Sequence, residues 1–175
     1  LIVHEWRSPD TICQVVQRTA VSLLAPRPLP RVIFPAGDAL PVKALNGIAF
    51  KAWEPPKDGD WNEVDGQMDI EAEEPLPEHA AGKQLASGVV IREKDGRVWL
   101  VQPKGGFGGY SSTFPKGRVE PSLSLQANAI KEAWEESGLK VRIAGLAGDR
   151  VGDTTLTRYY LAEREGGDPS QTGDE

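Results

Sequence analysis

The sequence predicts an α/β fold in its second half, and two observations support this. The first is a pair of strand-like segments, Gln84 to Arg92 and Arg97 to Gln102, joined by the turn sequence Lys94-Asp95-Gly96, which is typical of a β-hairpin. The second is an amphipathic helix that begins near Ser122 or Ser124 and precedes two more strand-like segments. Those two segments are Leu139 to Ile143 and Thr155 to Ala162.

The predicted helix separates an apolar face from an acidic face. The apolar residues that recur at helical spacing are Leu123, Ala127, Ile130 and Trp134. Glu132 and Glu136 lie about 160° and 120° around the helix from Ile130, so packing and chemistry are expected on different faces. Gly138 stands where a left-handed C-terminal cap is expected.

Glu132, Glu135 and Glu136 fall within roughly 100° of arc on this helix. Like charges at these spacings weaken an isolated helix by about 0.2–0.5 kcal/mol per pair, so the arrangement needs a compensating cause. A bound divalent cation is one such cause. A solvated acidic face is the other, and the three glutamates by themselves favour it.

Composition limits the classes of function. The chain has 175 residues, a net charge of −6 and a pI near 5.1, which argues against general nucleic-acid binding because phosphate contacts need a basic surface. The single cysteine, Cys13, allows no intrachain disulfide. No apolar run approaches the roughly 18 residues of a membrane helix, and no signal peptide is evident. A cytoplasmic protein without membrane partners is expected.

Residues 1–80 are predicted to be an N-terminal extension or small appended subdomain with a linker, ending near Ala80. Strand-like segments occur at Leu1 to Trp6 and Arg31 to Phe34, and a helix is predicted from Ser8-Pro9-Asp10 to Pro26. Phe50 and Trp53 are expected in a core, although a partner-binding or homodimer surface and the lining of a ligand cleft are alternatives. The acidic, turn-rich stretch 57–79 is predicted to be a solvated connection.

Residues 117–139 resemble the Nudix box. Its pattern is Gly, five residues, Glu, seven residues, Arg-Glu, an apolar residue, any residue, Glu-Glu, any residue, Gly and an apolar residue. The positions that match are Gly117, Glu132, Ala133, Glu135, Glu136, Gly138 and Leu139. The preceding Phe114-Pro115-Lys116 also resembles many members, and we expect a Lys-Gly turn there. The resemblance covers about residues 84–175 and implies a Nudix-type α/β/α sandwich with a mixed sheet.

Two box positions depart from the pattern. Leu123 stands where the family has its first glutamate, and Lys131 stands where it has arginine. In the family these polar residues support the catalytic carboxylates, so their joint change predicts an altered supporting shell. Lysine keeps the positive charge but lacks the planar, two-pronged hydrogen bonding of arginine. Glu120, three residues earlier, is a candidate substitute for the missing glutamate.

The resemblance implies a divalent metal, Mg²⁺ or Mn²⁺. Glu132 and Glu136 would bind it, joined by Glu135 and the backbone carbonyl of Lys116. Glu132 could alternatively orient or deprotonate the attacking water. A complete Nudix domain would add a strand and a helix after this point, so 81–175 is expected to lack them. Either a further segment holds these elements or residues 1–80 supply replacements. Glu175 is a candidate for a further catalytic glutamate. Because the chain starts at Leu1 and its only methionine is Met68, we also expect that it is not the whole translated protein.

The resemblance implies a phosphorylated, nucleotide-derived substrate. The predicted phosphate contacts are Lys104, Lys116 and Arg118, with Arg158 as a further positive charge near the cleft. Phe107 and Tyr110, in the glycine-rich loop 105–110, are predicted to contact the ligand. The predicted activity is a metal-dependent pyrophosphohydrolase that cleaves a nucleoside diphosphate-X or polyphosphate. The alternative is a catalytically weakened Nudix-derived nucleotide-binding or regulatory module.

Overall fold

A computed structural model describes most of the second half of the chain and shorter stretches of the first half. The described residues are 2–5, 32–34, 37, 39–56, 60–69, 75–77, 81–102 and 112–171. The predicted helix after Ser8-Pro9-Asp10, the boundary at Ala80 and the glycine-rich loop lie outside them. No helix in the described part of the chain is long and apolar enough to cross a membrane.

The described strands form one mixed sheet of seven strands and a separate two-stranded hairpin. The strands are β1 Ile2–Glu5, β2 Val32–Ile33, β3 Ala44–Leu45, β4 Ile48–Ala49, β5 Gln84–Arg92, β6 Arg97–Leu100, β7 Lys116–Arg118, β8 Leu139–Val151 and β9 Thr155–Gly167. The large sheet has the order β2-β1-β6-β5-β9-β8, with β7 paired to β5, while β3 and β4 make the hairpin. The α/β class predicted from the sequence is confirmed.

Strand β5 is the centre of the sheet. It pairs with β9 in parallel along its whole length and with β6 and β7 antiparallel at its other edge. Val89 and Ile91 point to the face that carries the helix and are fully buried there. Because β7 pairs with β5 at residues 86–88, the start of the box segment is fixed to the middle of the domain.

Helix α1, Leu125–Ser137, begins and ends at the predicted caps. The Ser124 side chain accepts a hydrogen bond from the Ala127 N–H at 3.0 Å, and Gly138 adopts the left-handed conformation with φ of 68°. Ala127 and Ile130 are fully buried in the core. Leu123 and Trp134 are partly buried against the same core, as the helical spacing predicted.

Strands β8 and β9 extend beyond their predicted ends at Ile143 and Ala162. The polar composition of residues 165–175 predicts a tail of low order, and this is wrong for residues 165–167, which belong to β9. Gly167 still pairs with Leu139. Its carbonyl accepts a hydrogen bond from the Lys51 N–H at 3.0 Å. Strand pairing, which sequence periodicity does not report, keeps this polar stretch ordered.

The N-terminal segments contribute to the same core and sheet. Strand β1 pairs with β6 and with β2, which confirms both predicted strands. Phe50 packs against Phe34 and Trp99 with ring centroids 5.2 and 6.1 Å apart, as expected for a core residue. Trp53 packs against Trp61 at 6.0 Å. The division of the chain into 1–80 and 81–175 stays a prediction.

The prediction of a solvated connection is wrong for residues 60–69. Trp61 and Val64 are buried, and the Trp61 ring lies 5.9 Å from that of Trp134 in α1. The Asn62 side chain also bridges the start of the helix, donating to the Ser122 carbonyl at 2.7 Å and accepting from the Ser124 N–H at 2.9 Å. Two apolar residues in an acidic context are too weak a pattern to predict this packing.

A buried ion pair joins the hairpin to the sheet. Arg164 and Glu93 are paired with side chains 0% and 1% exposed. Glu93 also accepts hydrogen bonds from Trp99 Nε1 and Asn46 Nδ2, both at 2.8 Å. Arg164 donates to the Leu45 carbonyl at 2.8 Å. This network is satisfied within the protein, as buried charges require, so we assign it to structure.

Asp95 gives a prediction for stability. Its carboxylate accepts hydrogen bonds from the Arg97 side chain at 2.7 and 3.0 Å and from the Arg97 N–H at 3.1 Å. Burial alone would raise the pKa of Asp95, but these bonds outweigh it and hold the pKa below 3.8. We expect Asp95→Asn to lower the free energy of unfolding by about 1 kcal/mol at pH 7.

Because the folded state depresses this pKa, the stabilisation is present above pH 3.8 and is lost as the pH falls through the folded-state value. Urea unfolding of the wild type and Asp95→Asn at several pH values would measure it. Asp60→Asn is the matched control, since Asp60 is exposed and its side chain makes no cap hydrogen bond. A difference that persists unchanged at pH 3 would contradict this interpretation.

Candidate active site

The box segment enters the site as a strand rather than as the predicted turn. Lys116–Arg118 forms β7, with Gly117 registered opposite Ser87 and Lys116 opposite Gly88 on β5. The pattern Lys-Gly-Arg has no strand signal of its own, so the turn prediction was wrong because long-range pairing overrides local propensity. The free edge of this short strand is turned toward α1.

Glu136 and Glu132 both contact β7. The Lys116 N–H donates to Glu136 Oε2 at 3.0 Å. In an extended chain the carbonyl of a residue leaves the strand at the same edge as its N–H, so the Lys116 carbonyl is directed to the helix side as well. A methyl group at Gly117 would overlap the Glu132 carboxylate, so glycine is what lets that carboxylate approach the strand.

Glu135 is bound by Lys131, the residue that stands where the box pattern has arginine. Lys131 Nζ lies 2.6 Å from Glu135 Oε1, one helical turn away, and 2.9 Å from Glu120 Oε1. Burial alone would lower the pKa of Lys131, but the hydrogen bonds and charges of Glu135 and Glu120 outweigh it and raise the pKa above 10.5. Lys131 is therefore a charged partner of the acidic face.

A residue that sequence reasoning missed is Asn128. It is fully buried, its Nδ2 donates to Ser87 Oγ at 3.0 Å, and its Oδ1 accepts from the Glu120 N–H at 3.2 Å. It thereby ties the loop before the helix to the central strand. A polar residue inside an apolar helical stripe is the signal that could have identified it, since such a residue needs buried partners.

Lys116 and Arg118 flank Gly117 in the sequence, but their side chains point to the other side of β7 from the carboxylates. Successive residues of a strand alternate in direction, and Gly117 is the one that faces Glu132. A methyl group at Gly88, the partner of Lys116, would overlap the Lys116 side chain, which confirms this direction. Arg118 is exposed on that face.

Three of the predicted substrate contacts, Lys104, Phe107 and Tyr110, lie outside the described residues, as does the catalytic candidate Glu175. Arg158 is described and has a different place: its side chain is 2% exposed and pairs with Asp149 at 2.8 Å. It also donates to the Pro75 carbonyl at 3.1 Å. Arg158 therefore anchors the segment 75–77 and does not face a cleft.

The donor set suits a hard divalent cation, which prefers carboxylate and carbonyl oxygens. Glu132 and Glu136 are the pair that lies against Lys116-Gly117, with the Lys116 carbonyl directed to the same edge. Among the residues that the structure describes, however, no group of three or more Asp, Glu, His or Cys side chains is arranged to hold a metal ion. Glu135 does not complete such a group with Glu132 and Glu136, because its carboxylate is bound to Lys131.

Solved structures of known proteins resemble this chain over about half its length. An ADP-ribose pyrophosphatase from Streptococcus suis 89-1591 is 24% identical over 53% of this chain and 67% of that one, with a TM-score of 0.45. A NUDIX hydrolase from Nitrosomonas europaea is 24% identical over 53% and 66%, with a TM-score of 0.44. A UDP-X diphosphatase is 21% identical over 52% and 46%, with a TM-score of 0.45. The chain thus spans between about half and two thirds of the length of these proteins.

The family model of the NUDIX domain matches residues 82–175, which is more than half of the chain. The match contains β5 to β9, helix α1 and the three glutamates. It begins after the segments that supply β1 to β4 and the packing of Trp61 on the helix. The chain therefore belongs to the Nudix family.

Proposed function

We propose that this protein is a divalent-metal-dependent pyrophosphohydrolase that cleaves a nucleoside diphosphate-X or polyphosphate substrate. The observation that carries the proposal is the approach of Glu132 and Glu136 to β7 at Lys116-Gly117. This approach brings the carboxylate oxygens of the two glutamates next to the edge of β7. Mg²⁺ or Mn²⁺ would be held there by Glu132, Glu136, Glu135 and the Lys116 carbonyl.

The bound metal would neutralise the charge that develops on the phosphate oxygens and lower the pKa of a bound water. This chain's residues do the rest of the work. The Lys116 N–H holds Glu136 by Oε2, Gly117 leaves room for Glu132, and Lys131 restrains Glu135. In this proposal Glu132 either binds the metal or takes the proton of the attacking water.

A substrate panel tests the activity. It would contain ADP-ribose, dinucleoside polyphosphates, nucleoside triphosphates and diphosphoinositol compounds, each with Mg²⁺ or Mn²⁺ and without metal. We expect metal-dependent release of phosphorylated products from at least one class. Turnover no greater than that of Glu136→Gln on every compound would remove the support for this function.

We place the rest of the substrate across β7, on the face that carries Lys116 and Arg118. Tyr159 is registered with Gly88 on this face, and its ring lies 6.0 Å from that of Phe114. Both rings are half-buried, so they offer an apolar surface for a base next to two cations. The predicted contacts from Lys104, Phe107 and Tyr110 stay part of the proposal.

Arg118→Ala should raise the KM of the best substrate about tenfold and change kcat little. A charge-assisted hydrogen bond to a phosphate contributes about 1.5 kcal/mol or more to binding. Because this phosphate lies away from the bond that breaks, the contribution is equal in the substrate complex and in the transition state, and its loss changes KM rather than kcat. Steady-state kinetics would measure it, with Arg92→Ala, exposed at the far end of β5, as the matched control. Equal effects of the two variants would exclude a specific contact at Arg118.

A catalytically weakened nucleotide-binding or regulatory module is the second candidate. It is favoured by the contact of Glu135 with Lys131 and by the lack, within the described residues, of a ready group of three metal-binding side chains. Calorimetry with ADP-ribose and ATP, alongside the panel, distinguishes the two functions. Binding without hydrolysis supports the module, whereas rapid metal-dependent turnover excludes it.

A further inference from the structure

Lys131 is shared between two carboxylates of unequal exposure. The side chains of Lys131 and Glu135 are 16% and 18% exposed, whereas that of Glu120 is 51% exposed. An ammonium group has three donors and can serve both partners at once. Lys131 therefore links the Glu135 carboxylate to Glu120.

The loop geometry explains how Glu120 reaches this place. The Leu123 N–H donates to the Glu120 carbonyl at 3.0 Å, which closes a turn over residues 120–123. The first and fourth residues of such a turn have Cα atoms less than about 7 Å apart. A carboxylate at position 120 thus starts close to position 123, where the Nudix pattern has its glutamate.

The side chains at the two ends of this turn, Glu120 and Leu123, have different surroundings. Leu123 is partly buried against the hydrophobic core, while Glu120 is exposed and reaches Lys131. Asn128 fixes the Glu120 end, because its Oδ1 accepts the Glu120 N–H and its Nδ2 donates to the buried Ser87. Asn128 lies one helical turn before Lys131, so the anchor and the ion pair share one side of α1.

We propose that Glu120 is a positioning residue that replaces the missing box glutamate, acting through Lys131 on Glu135, with Asn128 as its backbone anchor. The carboxylate that pairs with Lys131 thus comes from position 120, three residues before the box position 123 and at the other end of the same turn. The proposal rests on the proposed function for its effect on catalysis, but the ion pair itself can be tested without metal.

The test combines removal of Glu120 with restoration of a carboxylate at position 123. We expect Glu120→Gln to weaken Mn²⁺ affinity, measured by electron paramagnetic resonance, and kcat/KM by about tenfold, as loss of a residue that orients a metal ligand does. Glu120→Gln/Leu123→Glu should recover at least half of this loss. Glu120→Gln/Leu123→Gln, of equal size but uncharged, should recover none. Glu54→Gln, at an exposed glutamate far along the chain, should match the wild type.

A double-mutant cycle with Lys131→Met separates positioning from general damage. Once Lys131 is gone, adding Glu120→Gln should cost nothing further in Mn²⁺ affinity or in the metal-free Tm. Three results would overturn the proposal. The first is a loss of Mn²⁺ affinity in the double variant that equals the product of the two single losses. The others are a recovery with Leu123→Gln as large as with Leu123→Glu, and wild-type Mn²⁺ affinity in Glu120→Gln. If the wild type neither binds Mn²⁺ nor turns over any substrate, the proposed function fails, and the metal-free Tm cycle alone decides the ion pair.

Discussion

Glu136→Gln is expected to lower kcat about a thousandfold while leaving the fold intact. Loss of the metal ligand that we propose Glu136 to be would remove several kcal/mol of transition-state stabilisation, and about 4 kcal/mol corresponds to a factor of a thousand. The glutamine side-chain oxygen can still accept the Lys116 N–H that Glu136 Oε2 accepts at 3.0 Å, so the contact with β7 is retained. Steady-state kinetics on the best substrate would measure the loss.

Thermal unfolding gives the control for this variant. A Tm within about 2 °C of the wild type would show that the loss is chemical rather than structural. Glu163→Gln, on β9 in an exposed ion pair with Arg142, is the matched control and should keep wild-type kcat. If Glu136→Gln retained more than a tenth of wild-type kcat, Glu136 would not be a metal ligand in the rate-limiting step.

Gly117→Ala should lower kcat about a hundredfold with little loss of stability. The added methyl group would overlap the Glu132 carboxylate, which is the flexible end of its side chain and can move away at small energetic cost. A displacement of about 1 Å in a catalytic group costs about a hundredfold in rate. Kinetics and urea unfolding, measured on the same preparations, would separate the two effects.

The matched control is Gly166→Ala, because a methyl group there meets no atom within 4 Å. It should keep wild-type kcat and stability. Shortening the displaced residue gives a sharper check: Glu132→Asp, added to Gly117→Ala, should recover part of the lost rate. Loss of folding in Gly117→Ala, or no recovery with Glu132→Asp, would mean that the glycine serves β7 and not the carboxylate.

The features that depend on neighbouring residues could be predicted from the sequence. Helix α1 carries its own signals, since Ser124 caps one end and Gly138 the other. The spacing of Glu132, Glu135 and Glu136 within the box gave the family, which the NUDIX match at 82–175 confirms. These patterns are local, and local hydrogen bonds or helical geometry decide them.

The features that depend on distant pairing could not be predicted. Lys116–Arg118 is a strand only because residues 86–88 of β5 pair with it. The packing of Trp61 on Trp134 joins segments that no periodicity links. The side of β7 on which Arg118 lies follows from that pairing as well. Glu120 was predicted only as a candidate substitute for the missing glutamate, because its contact with Lys131 depends on the turn at 120–123.

The central claim is that carboxylates of α1 and the edge of β7 form one metal site. Titration of Mn²⁺ into the metal-free protein, followed by electron paramagnetic resonance, tests it most directly in the wild type, Glu132→Gln, Glu136→Gln and the Glu163→Gln control. We predict saturable binding in the wild type and control, with affinity reduced tenfold or more in each of the other two variants. Equal Mn²⁺ affinity in all four proteins would contradict the claim.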